Sequence, residues 1–402
     1  MPKMFNIAGP CIPGEHYLVP TLARLPQLGG LIAAKQFFVI HAARQSGKTT
    51  LLNALEQELN AKHEVVALYC SLETAQGIAE AERGIPAVIH AVLNGLTWHP
   101  FFKNLTQPTV NLSAYTMAVN SLLGQLAQAA GKPLVVLFDE ADCLCGPTLI
   151  SFLRQLRDGY VNRIRSPFPV SLALVGMRNI RDYKANVRPD SDTLGSSSPF
   201  NIATEALTLT NFTGEEIASL YRQHTAETGQ VFEETAIDRA SYWTCGQPWL
   251  VNALARECVE KLLKNDYAQP VTMGLIDAAA EELLCRRDTH IDSLLDRLKE
   301  ARVRRIVEPV ILGRAEGIER LSDDFQYVCD LGILKQDQGA ILPANPLYAE
   351  VILRTLSYDT QEDMKLTIQQ APWIAGDCLD MTGMLRAFQQ FWRENSEVWQ
   401  AR

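Results

Sequence analysis

The segment Ala42-Ala43-Arg44-Gln45-Ser46-Gly47-Lys48-Thr49-Thr50 sets a glycine, an ammonium and two hydroxyls side by side. A polyphosphate needs several converging N–H donors and a cation, and a tight loop entering a helix N-terminus supplies both. In such a loop Gly47 lets the backbone approach the phosphates, Lys48 reaches the β and γ oxygens, and Thr49 can ligate Mg2+. Arg44, Gln45, Ser46 and Thr50 complete the expected phosphate cradle. Its first position, a glycine in the G-x-x-x-x-G-K-[ST] pattern, is Ala42 here. A G-K-[ST] tripeptide alone arises by chance in roughly one chain in five of this length, so its surroundings decide. An apolar run, Phe37-Phe-Val-Ile40, precedes it, and Leu51, Leu55 and Leu59 share one helical face after it. That is the strand–loop–helix setting the chemistry requires.

A second group is Leu134-Val-Val-Leu-Phe138-Asp139-Glu140, an apolar strand ending in two acids. There Asp139 can hold Mg2+ through water, while Glu140 can orient and polarise an attacking water. The bland alternative is a strand that ends in two solvated carboxylates. Two motifs in the expected order support each other, and the paired acid favours hydrolysis over transfer to a substrate. The sequence contains no N-K-x-D tetrapeptide for reading guanine, which points to ATP, and no L-S-G-G-Q signature of transporter ATPases. The third group is softer. A strand over Val170–Gly176 runs into Met177-Arg178-Asn179, where Asn179 or Arg178 could sense the γ-phosphate or position water. Arg178 could instead serve a neighbouring subunit as an arginine finger, or both could be plain strand-end polar residues.

These groups need a scaffold, and the chain supplies one. Strands are expected at Gln36–His41, Glu64–Cys70, Pro133–Phe138, Val170–Gly176 and Ala206–Thr210, separated by amphipathic helices such as the one carrying Leu112, Tyr115, Val119, Leu122 and Leu126. Their nearly continuous apolar character suits strands of a parallel sheet buried on both faces. The polar stretch 188–199 reads as a surface loop. After Thr210 the strands stop. Thr213-Gly-Glu-Glu216 forms a capping box, and helices follow near 233–244, 247–264 and 274–287. Over 301–357 two helices precede Leu331–Lys335, a turn at Asp337–Gly339 and Ala340–Leu342, a pattern that suggests a winged helix. An amphipathic helix, Met384–Trp399, runs almost to the final residue without a Gly or Pro stop signal, an abruptness that hints at a further domain and leaves open whether one follows. The expected division is therefore a core at 1–210, with 1–30 as a segment on the adenine side, then a helical lid at 211–300. A winged-helix-like part at 301–360 and a helical extension at 361–402 follow. The fold class is α/β, a P-loop NTPase parallel sheet with these additions.

Composition narrows the rest. The 402 residues are 47% hydrophobic and 21% charged, which is ordinary globular composition, and their length suits two or three domains. A formal charge of −9 disfavours a broadly basic surface for nucleic acid or membrane. The nine cysteines include no C-x-x-C pair, and the reading is of a reduced, soluble, cytoplasmic protein. No apolar run is long enough to span a bilayer.

The A-x-R-Q-S-G-K-T loop, the F-D-E strand end and Gly246-Gln247-Pro248-Trp-Leu-Val-Asn252 resemble AAA+-related ATPases of the archaeal-ATPase and STAND type. The opening, Phe5 through Gly9-Pro10, Pro13 and Tyr17, is similar to that of bacterial AAA-like members. The resemblance covers about residues 5–357. It implies a nucleotide-binding core, a helical lid and a winged helix. It further implies that the 5–20 segment, Tyr17 included, cradles adenine and that Gln247 and Pro248 approach the nucleotide. Pro in a first helical turn also has a plain structural reading, the start of a helix. Members of this group tolerate a small residue at the Ala42 position. Relatives often continue into a nuclease-like domain. This chain stops before any such motif, so no nuclease activity is expected.

The cofactors expected are ATP and Mg2+, the partners ATP/ADP and a protein or a second copy, with no membrane. Three functions remain: an ATPase switch or motor, a DNA-associated ATPase, and a scaffold that holds nucleotide without hydrolysis. Residues 301–357 carry seven Lys/Arg against eight Asp/Glu. A near-neutral wing neutralises few phosphates, so charge favours protein contact over DNA.

Overall fold

The computed structural model describes residues 2–177, 205–286, 289–315, 317–367, 374–375 and 378–400. The backbone divides into two compact units, Met1–Glu350 and Val351–Arg402.

The first unit is built on five strands: β1 (Phe37–His41), β2 (Val66–Ser71), β3 (Leu134–Asp139), β4 (Ser171–Gly176) and β5 (Glu205–Thr208). They form one all-parallel sheet in the order β2-β3-β4-β1-β5. The apolar runs of the inner strands divide by alternation. Phe37, Val39, Leu68, Val136, Phe138, Leu172 and Leu174 face one side, against helices α3 (Ala81–Trp98), α4 (Tyr115–Ala130) and α5 (Gly146–Asn162). Phe38, Ile40, Ala67, Val135, Leu137, Ala173 and Val175 face the other, against α1 (Leu28–Ala33) and α2 (Lys48–Ala61). A strand buried on both faces has no polar alternation to show, which is why these read as continuous apolar runs. Each fully buried side chain such as Phe138 contributes about 1.5–3 kcal/mol of transfer free energy.

Parallel register brings the strand C-termini to one edge. His41 pairs with Gly176 and with Thr208, and Ser71 pairs with Asp139. In open parallel sheets ligands bind beyond this edge. β3 does not neighbour β1, because β4 lies between them. The acid that ends β3 therefore meets the loop after β1 only across the tip of β4.

Helices dominate after β5. α6 (Gly214–Thr228) opens with the expected capping box, in which the Thr213 hydroxyl accepts from Glu216 N and the Glu216 carboxylate accepts from Thr213 N. α7 (Glu234–Thr244) and α8 (Pro248–Arg256) follow, α8 loosening into a π turn over Glu257–Leu262. Then come α9 (Met273–Cys285), α10 (Thr289–Leu298), α11 (Ala301–Ile311) and α12 (Asp323–Asp330). β6 (Leu334–Asp337) and β7 (Ala340–Pro343) pair as an antiparallel hairpin. The strand of this hairpin begins later than the expected Leu331–Lys335, because Gly332, at φ 73°, still belongs to the turn that ends α12. α13 (Pro346–Thr367) crosses the division between the units.

The second unit also holds a short hairpin, β8 (Ile374–Ala375) and β9 (Cys378–Leu379), and α14 (Met381–Gln400). That helix starts a turn-fraction before the expected Met384, because Asp380 caps it: its Oδ1 accepts from Thr382 N and Gly383 N, both at 3.1 Å. The 188–199 stretch lies outside the described residues. Among those described, no helix is long and apolar enough to cross a membrane.

Candidate functional site

The 42–50 loop leaves β1 and closes on the N-terminus of α2. Gly47 stands at the N-cap with φ 91°, in the left-handed region that glycine adopts without strain, and Gln45 also has positive φ, 57°. No side chain caps α2, so its first-turn N–H groups face the loop interior, the arrangement that suits an anion. Ala42 keeps negative φ and donates its N–H to Gly176 O at 3.2 Å, as an extension of β1. A methyl group fits there, so the departure from glycine does not distort the loop. Ser46 folds back, donating its hydroxyl to Ala43 O at 2.8 Å.

Lys48 is buried, and its ammonium donates to Ala42 O and Ala43 O, each at 2.9 Å. Burial pulls its pKa down, while the carboxylates of Glu140, Asp142 and Asp139 oppose that fall. Thr49 donates its hydroxyl to Asp139 Oδ2 at 2.6 Å, so the loop and the end of β3 meet directly. The same oxygen accepts from Tyr69 Oη at 3.2 Å. Asp139 Oδ1 accepts from Glu140 N at 2.9 Å, and Glu140 sits in the left-handed region, φ 52°. Burial, reinforced by Asp142, raises the Glu140 pKa, with Lys48 opposing. The structure thus collects Lys48, Thr49, Asp139 and Glu140 at one corner of the sheet edge.

Asp142 is a member of this cluster that sequence reasoning passed over. Its Oδ2 accepts from Met177 N at 2.9 Å, locking the turn after β3 to the end of β4. A Cβ on Gly176 would lie 2.5 Å from Asp142 Oδ1, so only glycine admits this contact. The signal was present as a third acid in Asp139-Glu-Ala-Asp142. Arg178 and Asn179, the sensor candidates, lie outside the described residues.

Beside the cluster a cleft of about 470 Å³ opens between the 42–50 loop, the N-terminal segment and α8. Gly9 to Cys11 and Leu18 to Val19 form one wall. Cys11 N donates to Thr50 Oγ1 at 3.0 Å, tying this segment to the loop. Tyr17 lines the cleft, yet its hydroxyl faces His224 Nδ1 at 3.0 Å within an aromatic cluster that includes Phe5, 4.8 Å away between ring centres. Its contribution to the cleft is backbone and packing surface. Pro248 and Trp249 line the opposite side, whereas Gln247, the residue before them, faces a separate pocket. Gln247 caps α8, its Oε1 accepting from Leu250 N at 2.6 Å, and its Nε2 lies 3.4 Å from Arg44 O and 3.5 Å from Gln45 O. Arg44 donates to Ser293 Oγ of α10 at 2.7 Å. Trp249 reaches the N-terminal segment, its indole N–H donating to Ile7 O at 2.8 Å. Trp249 entered the sequence analysis only as a member of the 246–252 motif, with no role of its own, and Ser293, which carries no motif, not at all.

Gly246 precedes this side of the cleft with φ 74°, and a Cβ there would fall 1.9 Å from Phe212 O. The two residues are already joined by Phe212 N donating to Gly246 O at 2.8 Å. Gly246→Ala is expected to lower stability by about 3 kcal/mol through strain and backbone displacement, read as the midpoint shift in urea unfolding. Because the shift would move Gln247, nucleotide-dependent signals should weaken with it.

A five-stranded parallel sheet with a glycine-lysine loop between its first strand and a helix defines the α/β P-loop NTPase fold. Residues 32–183 match the sequence model of a family described as "AAA domain". The structure is similar to a Walker-type ATPase of Pyrococcus abyssi, with a TM-score of 0.59 at 15% identity, covering 87% of this chain and 99% of that one. It is more distantly similar to the ORC2 protein of Aeropyrum pernix, with a TM-score of 0.46, 14% identity and coverage of 86% and 97%. The RuvB Holliday junction branch migration motor of Thermotoga maritima gives 0.43, 15% identity and coverage of 81% and 92%. No curated protein matches the sequence. Residues 32–183 thus match an AAA domain, and the fold around them is that of a P-loop NTPase.

Proposed function

We propose that this protein binds ATP with Mg2+ in the cleft beside the 42–50 loop and hydrolyses it to ADP and phosphate as a nucleotide-driven switch. One observation carries the reading: Lys48, the Thr49–Asp139 pair and Glu140 converge at the uncapped start of α2. The α2 amides and Lys48 would hold the β and γ phosphates, Lys48 leaving the carbonyls of Ala42 and Ala43 to do so. Thr49 and Asp139 offer hard oxygen donors already in contact, which suit Mg2+, an ion that keeps several waters and binds few protein ligands. Among the described residues no group of three or more His, Cys, Asp or Glu is gathered to hold a metal alone, in keeping with a site completed by phosphate oxygens. Bound there, Mg2+ would neutralise charge developing between the β and γ oxygens. Glu140 would orient the attacking water, and this role separates a hydrolase from a scaffold that merely retains nucleotide. Arg178 and Asn179 stay proposed as γ-phosphate sensors.

The link from chemistry to motion would run through Gln247 and Ser293, which tie the loop to α8 and α10. The divisions that go with this reading are a core to residue 210, a lid to 300 and a winged-helix-like part to 360. Lys335, the only basic residue of the β6–β7 hairpin, lies 3.5 Å from Cys245 Sγ, which supports a hairpin used for packing rather than for DNA. We place the protein in the cytoplasm, acting with a protein partner or a second copy.

Calorimetric titration with MgATP, paired with a phosphate-release assay, tests the proposal. Saturable binding that EDTA weakens, followed by release of phosphate, is expected. Absence of binding at millimolar ATP would overturn it, and binding without release would leave the scaffold.

A further inference from the structure

The pocket that Gln247 faces, of about 210 Å³, shares Arg44 and Ser293 with the nucleotide cleft and is otherwise separate from it. Three segments meet around it. They are the 42–50 loop at Ala43 and Arg44, α10 at Leu294 and Arg297, and the stretch from Leu331 at the end of α12 to Lys335 in β6. The first and third lie close together, because a Cβ on Gly332 would fall 2.6 Å from Ala43 Cβ. Leu294, Ile333 and Leu334 are buried and give the pocket apolar walls.

Its charge is all of one sign. Arg44, Arg297 and Lys335 line it, and no Asp or Glu does. The whole chain carries 46 acids against 37 bases, so this is a local reversal. Among the described residues only Arg297 of the three is ion-paired, its Nη1 donating to Glu300 Oε1 at 2.6 Å. Arg44 donates to the Ser293 hydroxyl at 2.7 Å, and its charge also reaches Glu140. Lys335 donates to the Cys245 thiol at 3.5 Å, a weak partner for an ammonium. Like charges gathered between apolar walls repel one another and focus a positive field into the pocket, which draws in a counter-ion.

We infer that this pocket is a second anion site, separate from the nucleotide cleft, which takes a compact dianion of the phosphate class, free phosphate or a small phosphomonoester. Guanidinium forks pair with phosphate oxygens two at a time, and a lysine ammonium adds a movable point charge. Three cations arriving from three segments suit a tetrahedral dianion better than a flat, singly charged carboxylate. Bound there, the anion would tie the 42–50 loop to α10 and to the β6–β7 hairpin. The inference stands apart from the ATPase reading, since none of Lys48, Asp139 or Glu140 lines the pocket.

The experiment first fills the cleft with Mg2+ and the non-hydrolysable analogue AMP-PNP. Inorganic phosphate, glycerol 3-phosphate and acetate are then titrated by calorimetry at constant ionic strength. Saturable phosphate binding is expected, at least about tenfold tighter than that of acetate. Lys335→Gln should weaken it by about tenfold or more while AMP-PNP affinity stays within about threefold of wild type. Binding of both phosphate probes admits the phosphomonoester, and binding of phosphate alone confines the site to the free ion. A second readout on the wild type locates the site without any variant. Saturating phosphate should protect the Lys335 amine from an acetylating reagent by about fivefold or more, read by peptide mass, and leave exposed Lys103 unprotected. The site is overturned by absent phosphate binding, by acetate binding as tightly, by unchanged affinity in Lys335→Gln, or by an unprotected Lys335. Each of these leaves the ATPase reading standing. Should AMP-PNP itself not bind, that reading fails, and protection of Lys335 by phosphate alone still decides this one.

Discussion

Glu140→Gln is expected to slow phosphate release from ATP by about 10²–10⁴-fold while ATP affinity stays within about threefold of wild type. Glutamine keeps the shape and one acceptor but cannot take up charge or a proton from the attacking water. The backbone at Glu140 is held in the left-handed region, with its N–H bound to Asp139 Oδ1, so the direction in which its side chain leaves the backbone is fixed. A rate within tenfold of wild type would remove Glu140 from the chemistry. The pH profile gives an independent reading. Burial and the Asp142 charge raise the Glu140 pKa, so the acid limb of the rate should lie above the ordinary glutamate range and vanish in Glu140→Gln. The sign for stability follows. A carboxyl whose folded pKa is raised holds its proton more tightly folded than unfolded. Ionising it therefore destabilises the fold progressively as pH rises from the unfolded pKa through the folded one. At pH 7 without nucleotide the glutamine variant should accordingly melt no lower than wild type, and above it if the neighbouring hydrogen bonds are kept.

Lys48→Met is expected to weaken MgATP binding by about 10²-fold, the effect of losing charge-assisted bonds to phosphate. In the free protein Lys48 is buried, and two loop carbonyls hold its ammonium in place. Burial pulls its pKa down, and the three nearby carboxylates, Glu140 foremost, oppose that fall. A bound triphosphate would add far more negative charge and stabilise the ammonium further. Thermal melts report this directly: ATP should raise the wild-type midpoint and leave that of Lys48→Met nearly unmoved, since a ligand stabilises only as far as it binds the folded state. An equal ATP-induced shift in both proteins would mean that the nucleotide lies elsewhere. Methionine conserves side-chain volume, so circular dichroism should show an intact fold.

Asp380 and Gly332 show where local signals misplace an element. An Asx cap moves the last helix back to Met381, and a left-handed glycine delays the hairpin strand to Leu334. Both are readable only once the flanking hydrogen bonds are known. Tyr17 shows a different gap. Its position beside the cleft was implied by the opening segment, but its hydroxyl is engaged with His224, a residue 207 positions away. Asp142 went unremarked for the same reason: its significance comes from Met177, the partner that tertiary structure gives it.

What the amino-acid sequence determined by itself is local and periodic. The apolar runs at Phe37–Ile40 and Leu134–Phe138, the leucine spacing after Thr50, and the Thr213 capping box follow from backbone propensity and from the side-chain periods of strand and helix. The glycine-lysine-threonine loop belongs with them, because its geometry arises within a few residues. Tertiary structure decided the rest. It set the strand order that inserts β4 between β1 and β3, brought Thr49 within 2.6 Å of Asp139 from 90 residues away, and laid the N-terminal segment and α8 on either side of one cleft. Contacts of that range depend on how the two faces of the sheet are covered, and burial of apolar surface has no sequence address.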